Sequence, residues 1–189
     1  GHQKTVDNVL VWLQEDGDLA SRSFCDAGCG VGSLSLPLAQ LGAASIAASD
    51  ISEAMVKEAT RRATEAGLEV ARVQFSASDL ESLGGTFNTV ICLDVFIHYP
   101  QPQAEAMVKH LAALAQRRLI VSFAPYTPLL ALLKSIGSLF PGPSKATRAY
   151  TLKESGIIAA AAQAGFKPLR RSLNQAPFYF SRLIEFERI

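Results

Sequence analysis

Asp26-Ala27-Gly28-Cys29-Gly30-Val31-Gly32 sets an acid and three alternate glycines directly after the buried-type run Ser23-Phe24-Cys25. Leu34, Leu36, Leu38, Ala39 and Leu41 then suit the inner surface of a helix. A strand, a glycine turn and a helix in that order make a nucleotide-type cradle. Glycine lets the backbone approach a ligand and adopt positive φ. The helix start offers unpaired N–H groups to an anionic or polar group. Asp50 lies 18 positions past Gly32 and ends the second apolar run. A carboxylate there can accept hydrogen bonds from both ribose hydroxyls of an adenosine ligand. The plain alternative is a helix cap, because Ser52-Glu53 opens a helix. Asp79 follows the third run and suits an adenine amino group, while Leu80 offers a backbone N–H; a loop or capping acid is the alternative.

Elements of matching period must position these groups. Val6, Val9, Leu10 and Leu13 predict a first helix, ended by Gly17 and Asp18. Strands are expected at 21–27, 44–49, 70–76, 87–93 and 118–123, with helices at 32–41, from Ser52 to about Ala66, and at 103–114. Met55, Val56 and Ala59 should face inward on the helix that Ser52 caps. A further apolar helix is expected within 125–140, stopped by Pro141-Gly142-Pro143, and another at 152–164. Two last strands, 166–172 and 178–186, have no helix between them and should pair as an antiparallel hairpin at a sheet edge. The alternation implies βαβ units and an α/β fold. It predicts a Rossmann-like seven-stranded, mainly parallel sheet with helices on both faces and that C-terminal hairpin.

Composition removes several classes of function. At 189 residues, 49% hydrophobic and 19% charged, the chain suits one folded domain. A net charge of +1, with no basic cluster interleaved with aromatics, gives no reason to expect nucleic acid. Cys25, Cys29 and Cys92 lack disulfide spacing, and His2, His98 and His110 are scattered, so no protein-bound metal is expected. No apolar run reaches the roughly 20 residues of a membrane span. The chain opens at Gly1-His2-Gln3, already close to a helical pattern, and a preceding N-terminal segment is expected.

Asp26 to Gly32, Asp50, Ser78-Asp79-Leu80 and the terminal hairpin together resemble the class I S-adenosylmethionine-dependent methyltransferases. A dehydrogenase turn would need its third glycine one residue later, where Ser33 stands. The resemblance implies a single methyltransferase domain over 1–189, with S-adenosylmethionine as cofactor and S-adenosylhomocysteine as product. It implies Asp26, Gly28, Gly30, Asp50, Ile51, Asp79, Leu80 and Asp94 as the cofactor set. Gly28 and Gly30 would approach the methionine end, and Asp26 would orient its ammonium group.

A narrower resemblance rests on three stretches: Cys92 to Pro100, Ser122 to Thr127 and Phe140 to Tyr150. They are similar to the magnesium-protoporphyrin IX O-methyltransferase family, which methylates one propionate of a magnesium porphyrin in chlorophyll synthesis. Such a carboxylate is already ionised near neutral pH, its reference pKa being about 4. A strong base is therefore not needed, only orientation and a dry pocket.

His98 is the candidate catalytic and propionate-orienting residue, at the open end of the fourth strand; a histidine satisfied by local backbone is the alternative. Tyr99, Tyr126, Lys145, Arg148 and Tyr150 complete the candidate substrate contacts. A packed aromatic is the alternative for Tyr99, and a solvated loop for Lys145 and Arg148. Residues from about 125 to 150 would form a substrate lid, whose leucines suit a flat apolar ligand such as a porphyrin, a membrane surface, a protein partner or simply the core. The resemblance further implies magnesium chelatase as a candidate partner and a location in the cytoplasm of a photosynthetic bacterium or in a plastid. Peripheral membrane contact is a further expectation for the apolar segment. A methyltransferase for another small molecule and an inactive cofactor-binding partner protein stay open as alternatives.

Overall fold

The computed structural model describes residues 1–17, 19–69, 72–126, 150–176 and 179–189. Its first half runs α1 (His2–Glu15), β1 (Ser23–Ala27), α2 (Ser35–Gln40), β2 (Ser45–Asp50), α3 (Glu53–Glu65) and β3 (Val73–Ala77). The second half runs β4 (Phe87–Cys92), α4 (Gln101–Leu114), β5 (Ala115–Phe123), α5 (Glu154–Gln163), β6 (Phe166–Ala176) and β7 (Tyr179–Arg188). The strands form one seven-stranded sheet in the order β3-β2-β1-β4-β5-β7-β6. The first five are parallel, and β7 pairs antiparallel with both β5 and β6. The Rossmann-like sheet and the terminal hairpin expected from the sequence are both present.

Side chains along the central strands alternate between two cores. Phe24, Ile91 and Ile120 point to the side covered by α1 and α2. Cys25, Val90, Cys92, Leu119 and Val121 point to the side covered by α4 and α5. A parallel sheet buried on both faces needs such continuous apolar runs. The strand order reverses direction between β1 and β4, and open α/β sheets bind ligands at the carboxyl ends beside such a switch point.

Local boundaries differ from expectation at a few places. Helix α2 begins at Ser35, because Gly32 sits at φ +82° and residues 31–34 stay in the turn. Met55 is exposed, since α3 buries only the small Ala59 and Ala63 against the sheet. Strand β6 continues to Ala176, through what reads as a turn in the sequence. The expected helix within 125–140 falls mostly outside the described residues.

Candidate active site

The glycine turn is stapled to β2. Gly28 and Cys29 donate their backbone N–H groups to the Ser49 carbonyl, each at 2.8 Å. Gly30 donates to Asp50 Oδ2 at 2.9 Å, and Ser52 donates to Asp50 Oδ1 at 2.9 Å. One carboxylate thus fixes the turn and opens α3, and it keeps acceptor capacity on each oxygen. Gly28 sits at φ +87°, and a Cβ there would lie 2.3 Å from a Val95 methyl. Only glycine fits. Gly30 faces open space at φ +53°.

Asp26 lies under this turn, fully buried, and accepts from Ser35 Oγ at 2.5 Å. Burial pushes its carboxyl up to about 6, the Ser35 bond and the nearby His2 offset part of that, and Asp50 adds to it. Asp79 caps the short 3-10 turn Leu80–Ser82, accepting from the Ser82 N–H at 2.8 Å, and the Ser82 side chain, with that backbone bond, holds its carboxyl below the usual range.

The far wall begins two residues past β4. Asp94 takes a left-handed φ of +58°. Such a conformation costs a non-glycine residue roughly 1–3 kcal/mol and persists where surrounding structure over-determines it. Here it does. Asp94 Oδ1 accepts from Ser122 Oγ at 2.8 Å and Ser181 Oγ at 3.1 Å. Asp94 Oδ2 accepts from Tyr179 OH at 2.8 Å and pairs with His2 Nδ1 at 2.7 Å. Ser122 Oγ also accepts the Asp94 N–H at 2.8 Å. A carboxylate offers about four acceptor positions, and these four donors occupy them. Burial would raise the Asp94 carboxyl, but the bonds from His2, Tyr179 and Ser122 hold it below its ordinary value. The same pairing raises His2, and burial pushes the Tyr179 hydroxyl up to about 12.

After Asp94, Val95 leads into a 3-10 turn, Phe96–His98. Phe96 is fully buried and anchors the turn, while the His98 N–H donates to the Val95 carbonyl at 3.1 Å. Tyr99 is extended, as the residue before Pro100 must be, and α4 follows at once. Burial and the nearby acids Glu81 and Asp79 raise the Tyr99 hydroxyl.

These pieces enclose one cleft of about 520 Å³. Its lining includes Gly28, Asp50, Ile51, Asp79, Leu80, Asp94, His98 and Tyr99, so eight of the residues singled out from the sequence meet there. Asp26 stands behind the wall, and Gly30 joins through its bond to Asp50. Ile51 is 76% exposed, an apolar side chain at the rim. Tyr126 and Tyr150 are also exposed and do not line the cleft. They stand at the two ends of the expected lid. The Tyr126 N–H donates to the Leu152 carbonyl at 2.7 Å, the Leu152 N–H to Ala124 at 2.8 Å, and the Tyr150 N–H to the Ile97 carbonyl at 2.8 Å. Both ends are therefore tied together beside the turn carrying His98. Lys145 and Arg148 lie outside the described residues.

The sequence reading does not include Leu93 and Val95 in the lining, nor His2, Ser122, Tyr179 and Ser181 around Asp94. One signal was present. Ser122 is a lone hydroxyl in the apolar run Leu119–Phe123, and a buried polar group needs a partner.

Two families match the chain: "Methyltransferase domain" over residues 24–117 and "Magnesium-protoporphyrin IX methyltransferase C-terminus" over residues 92–188. Magnesium-protoporphyrin O-methyltransferase from Synechocystis sp. is 55% identical over 98% of this chain and 80% of that protein. The chloroplastic magnesium protoporphyrin IX methyltransferase of Arabidopsis thaliana is 53% identical over 98% of this chain, and the match spans 59% of that longer protein. A crystal structure of magnesium protoporphyrin IX methyltransferase from Synechocystis with bound S-adenosylhomocysteine superposes with a TM-score of 0.91. That match is 52% identical and covers 100% of this chain and 84% of the other.

Proposed function

We infer the reaction from membership: this chain belongs to the magnesium-protoporphyrin IX methyltransferase family, and it transfers a methyl group from S-adenosylmethionine to a propionate carboxylate of magnesium protoporphyrin IX. The product is the monomethyl ester of chlorophyll synthesis. The observation that carries this reading is the meeting of the glycine turn, Asp50, Asp79 and His98 around one cleft, in a chain so similar to that family.

The cleft fits the cofactor. Its volume lies within the usual range for small-molecule sites, about 300–1,000 Å³. Asp50 retains acceptor capacity for two ribose hydroxyls. Asp79, Leu80 and Ile51 line the cleft, and in this reading Asp79 and the Leu80 N–H would bind the adenine edge while Ile51 would offer it apolar contact. Gly28 and Gly30 leave the backbone open to the methionine end. Acids around the cleft complement a ligand bearing an ammonium and a sulfonium. Bound there, S-adenosylmethionine supplies an electrophilic methyl group, so the protein's task is positioning and exclusion of water.

His98 orients the attacking propionate oxygen by donating a hydrogen bond to it, and Tyr99 lines the same mouth. The propionate needs no deprotonation, its reference pKa being near 4. Tyr126, Tyr150, Lys145 and Arg148 belong to the segment we assign to porphyrin binding, the last two as partners for the propionates. We place the protein in a bacterial cytoplasm or a plastid, in keeping with a cyanobacterial and a chloroplastic relative. Among the described residues no helix is long and apolar enough to cross a membrane. Peripheral membrane contact and magnesium chelatase as a partner are part of the proposal.

Incubation with magnesium protoporphyrin IX and methyl-labelled cofactor should yield a labelled methyl ester. Labelling of other carboxylates but not of this porphyrin would overturn the substrate. His98→Ala should lower turnover on the order of a hundredfold, a typical cost of misplacing a reacting group, while cofactor affinity holds. Unchanged turnover would remove His98 from the reaction.

A further inference from the structure

We propose that Tyr179, on the terminal hairpin, is a positioning residue for both halves of the cleft, acting through Asp94. The inference rests on the methyltransferase reading above. Asp94 reaches the cleft from the carboxyl end of β4, yet its carboxylate is spent on protein donors. What those donors fix is its backbone, held left-handed at φ +58°. That backbone aims the next residues. Val95 packs onto Gly28, where any added Cβ would strike it, so the setting of Asp94 fixes the gap at the glycine turn. The Val95 carbonyl accepts the His98 N–H, so the same setting fixes the turn that carries His98. A shift at Asp94 therefore moves the methionine end of the cofactor seat and the candidate propionate contact together.

Tyr179 is the donor best placed to govern this. Its hydroxyl donates to Asp94 Oδ2 at 2.8 Å and shares a 2.9 Å bond with Thr5 of α1. Asn174 of β6 donates to that Thr5 hydroxyl at 3.1 Å. The hydroxyl titrates far above neutral pH, so it stays protonated as a donor. Its role thus links the sheet edge, the first helix and the cleft wall in one chain of bonds. Asn8 sits in the same interface and donates to Ser172 and Asn174 at the far end of that network, with no hydrogen bond to Asp94 or Tyr179 among the described residues. It separates interface stability from positioning.

The test measures S-adenosylhomocysteine binding by calorimetry and steady-state constants for both substrates. Tyr179→Phe keeps the ring and removes the hydroxyl. It is expected to weaken binding about tenfold, as loss of a hydrogen bond to a charged group does, and to raise the donor KM by a similar factor. Ser181→Ala removes a donor from the other oxygen and should act in the same direction, less strongly. Asn8→Ala should lower the melting temperature while leaving affinity and the donor KM within about twofold. Wild-type affinity in Tyr179→Phe, or an equal loss in Asn8→Ala, overturns the inference alone. Wild-type protein that binds no S-adenosylhomocysteine overturns the functional reading and the inference with it.

Discussion

Asp26 and Asp94 stand at the carboxyl ends of neighbouring strands, β1 and β4, and burial acts on both in the same direction. Their carboxyls nevertheless move oppositely. Asp26 has a single side-chain donor, Ser35, and is pushed up to about 6. Asp94 has four side-chain donors and falls below its ordinary value. Desolvation penalises the charged form, and donors aimed at the carboxylate restore it. Asp26 is the more deeply buried and has fewer donors, so desolvation wins there, while the donors win at the partly exposed Asp94. The two walls therefore differ in kind: one carboxylate is held ready to change charge near neutral pH, and the other is locked ionised.

The sharpest way to break that contrast is Asp94→Ala. It strands the Tyr179, Ser181 and Ser122 hydroxyls and the His2 imidazole, and should destabilise the fold by about 3–5 kcal/mol, measurable by urea unfolding. A loss below about 1 kcal/mol would mean that solvent already shares those donors. Next is the pH dependence of Asp26. Its folded value lies above the unfolded 3.8, so the protonated form is favoured in the native state. Its contribution is full below pH 3.8 and is lost as pH rises through about 6, a change of about 3 kcal/mol. Asp26→Asn should abolish this slope, so the urea midpoint of the wild type should decline relative to the variant between pH 4 and pH 7. A constant difference would show that Asp26 does not titrate in that window.

Two smaller effects test the β2 side. Asp50→Ala removes the proposed ribose acceptor and the staple on Gly30, and should weaken cofactor binding on the order of a hundredfold by calorimetry. Unchanged affinity would leave Asp50 as a turn and helix anchor only. Ser52→Ala deletes the cap that accepts the Met55 N–H at 3.3 Å, and should cost about 1 kcal/mol in thermal unfolding with binding intact.

The same division explains how much of the site could be read from the sequence. Asp50 bonds residues two and 20 positions away, Asp79 one three away, and Asp26 one nine away. Such contacts sit within one βα unit or between consecutive ones, where an acid, a glycine turn and a helix start betray their geometry by spacing. The sheet, its parallel core and its hairpin followed from apolar runs and intervening helices for the same reason. The partners of Asp94 lie 28, 85, 87 and 92 positions away. No periodicity links Tyr179 to Asp94; only the insertion of β7 beside β5 brings Ser181 and Ser122 to the same carboxylate. Resemblance supplied the porphyrin, and the open end of the fourth strand singled out His98; the glycine turn alone implied neither.

The ties between residues 124–126 and 150–152 have an evolutionary consequence. Pro125 and Leu152 form a parallel bridge, and the Tyr150 N–H is bonded to the Ile97 carbonyl, so two stretches far apart in the chain are held side by side. Joining two tied points by a longer chain costs little, about 0.6 kcal/mol for each doubling of length. The length of chain between the two tied points can therefore vary at small closure cost while the ties themselves are kept. On the proposed assignment of that stretch to porphyrin binding, a lineage built on this frame could change its methyl acceptor without rebuilding the seat of the methyl donor.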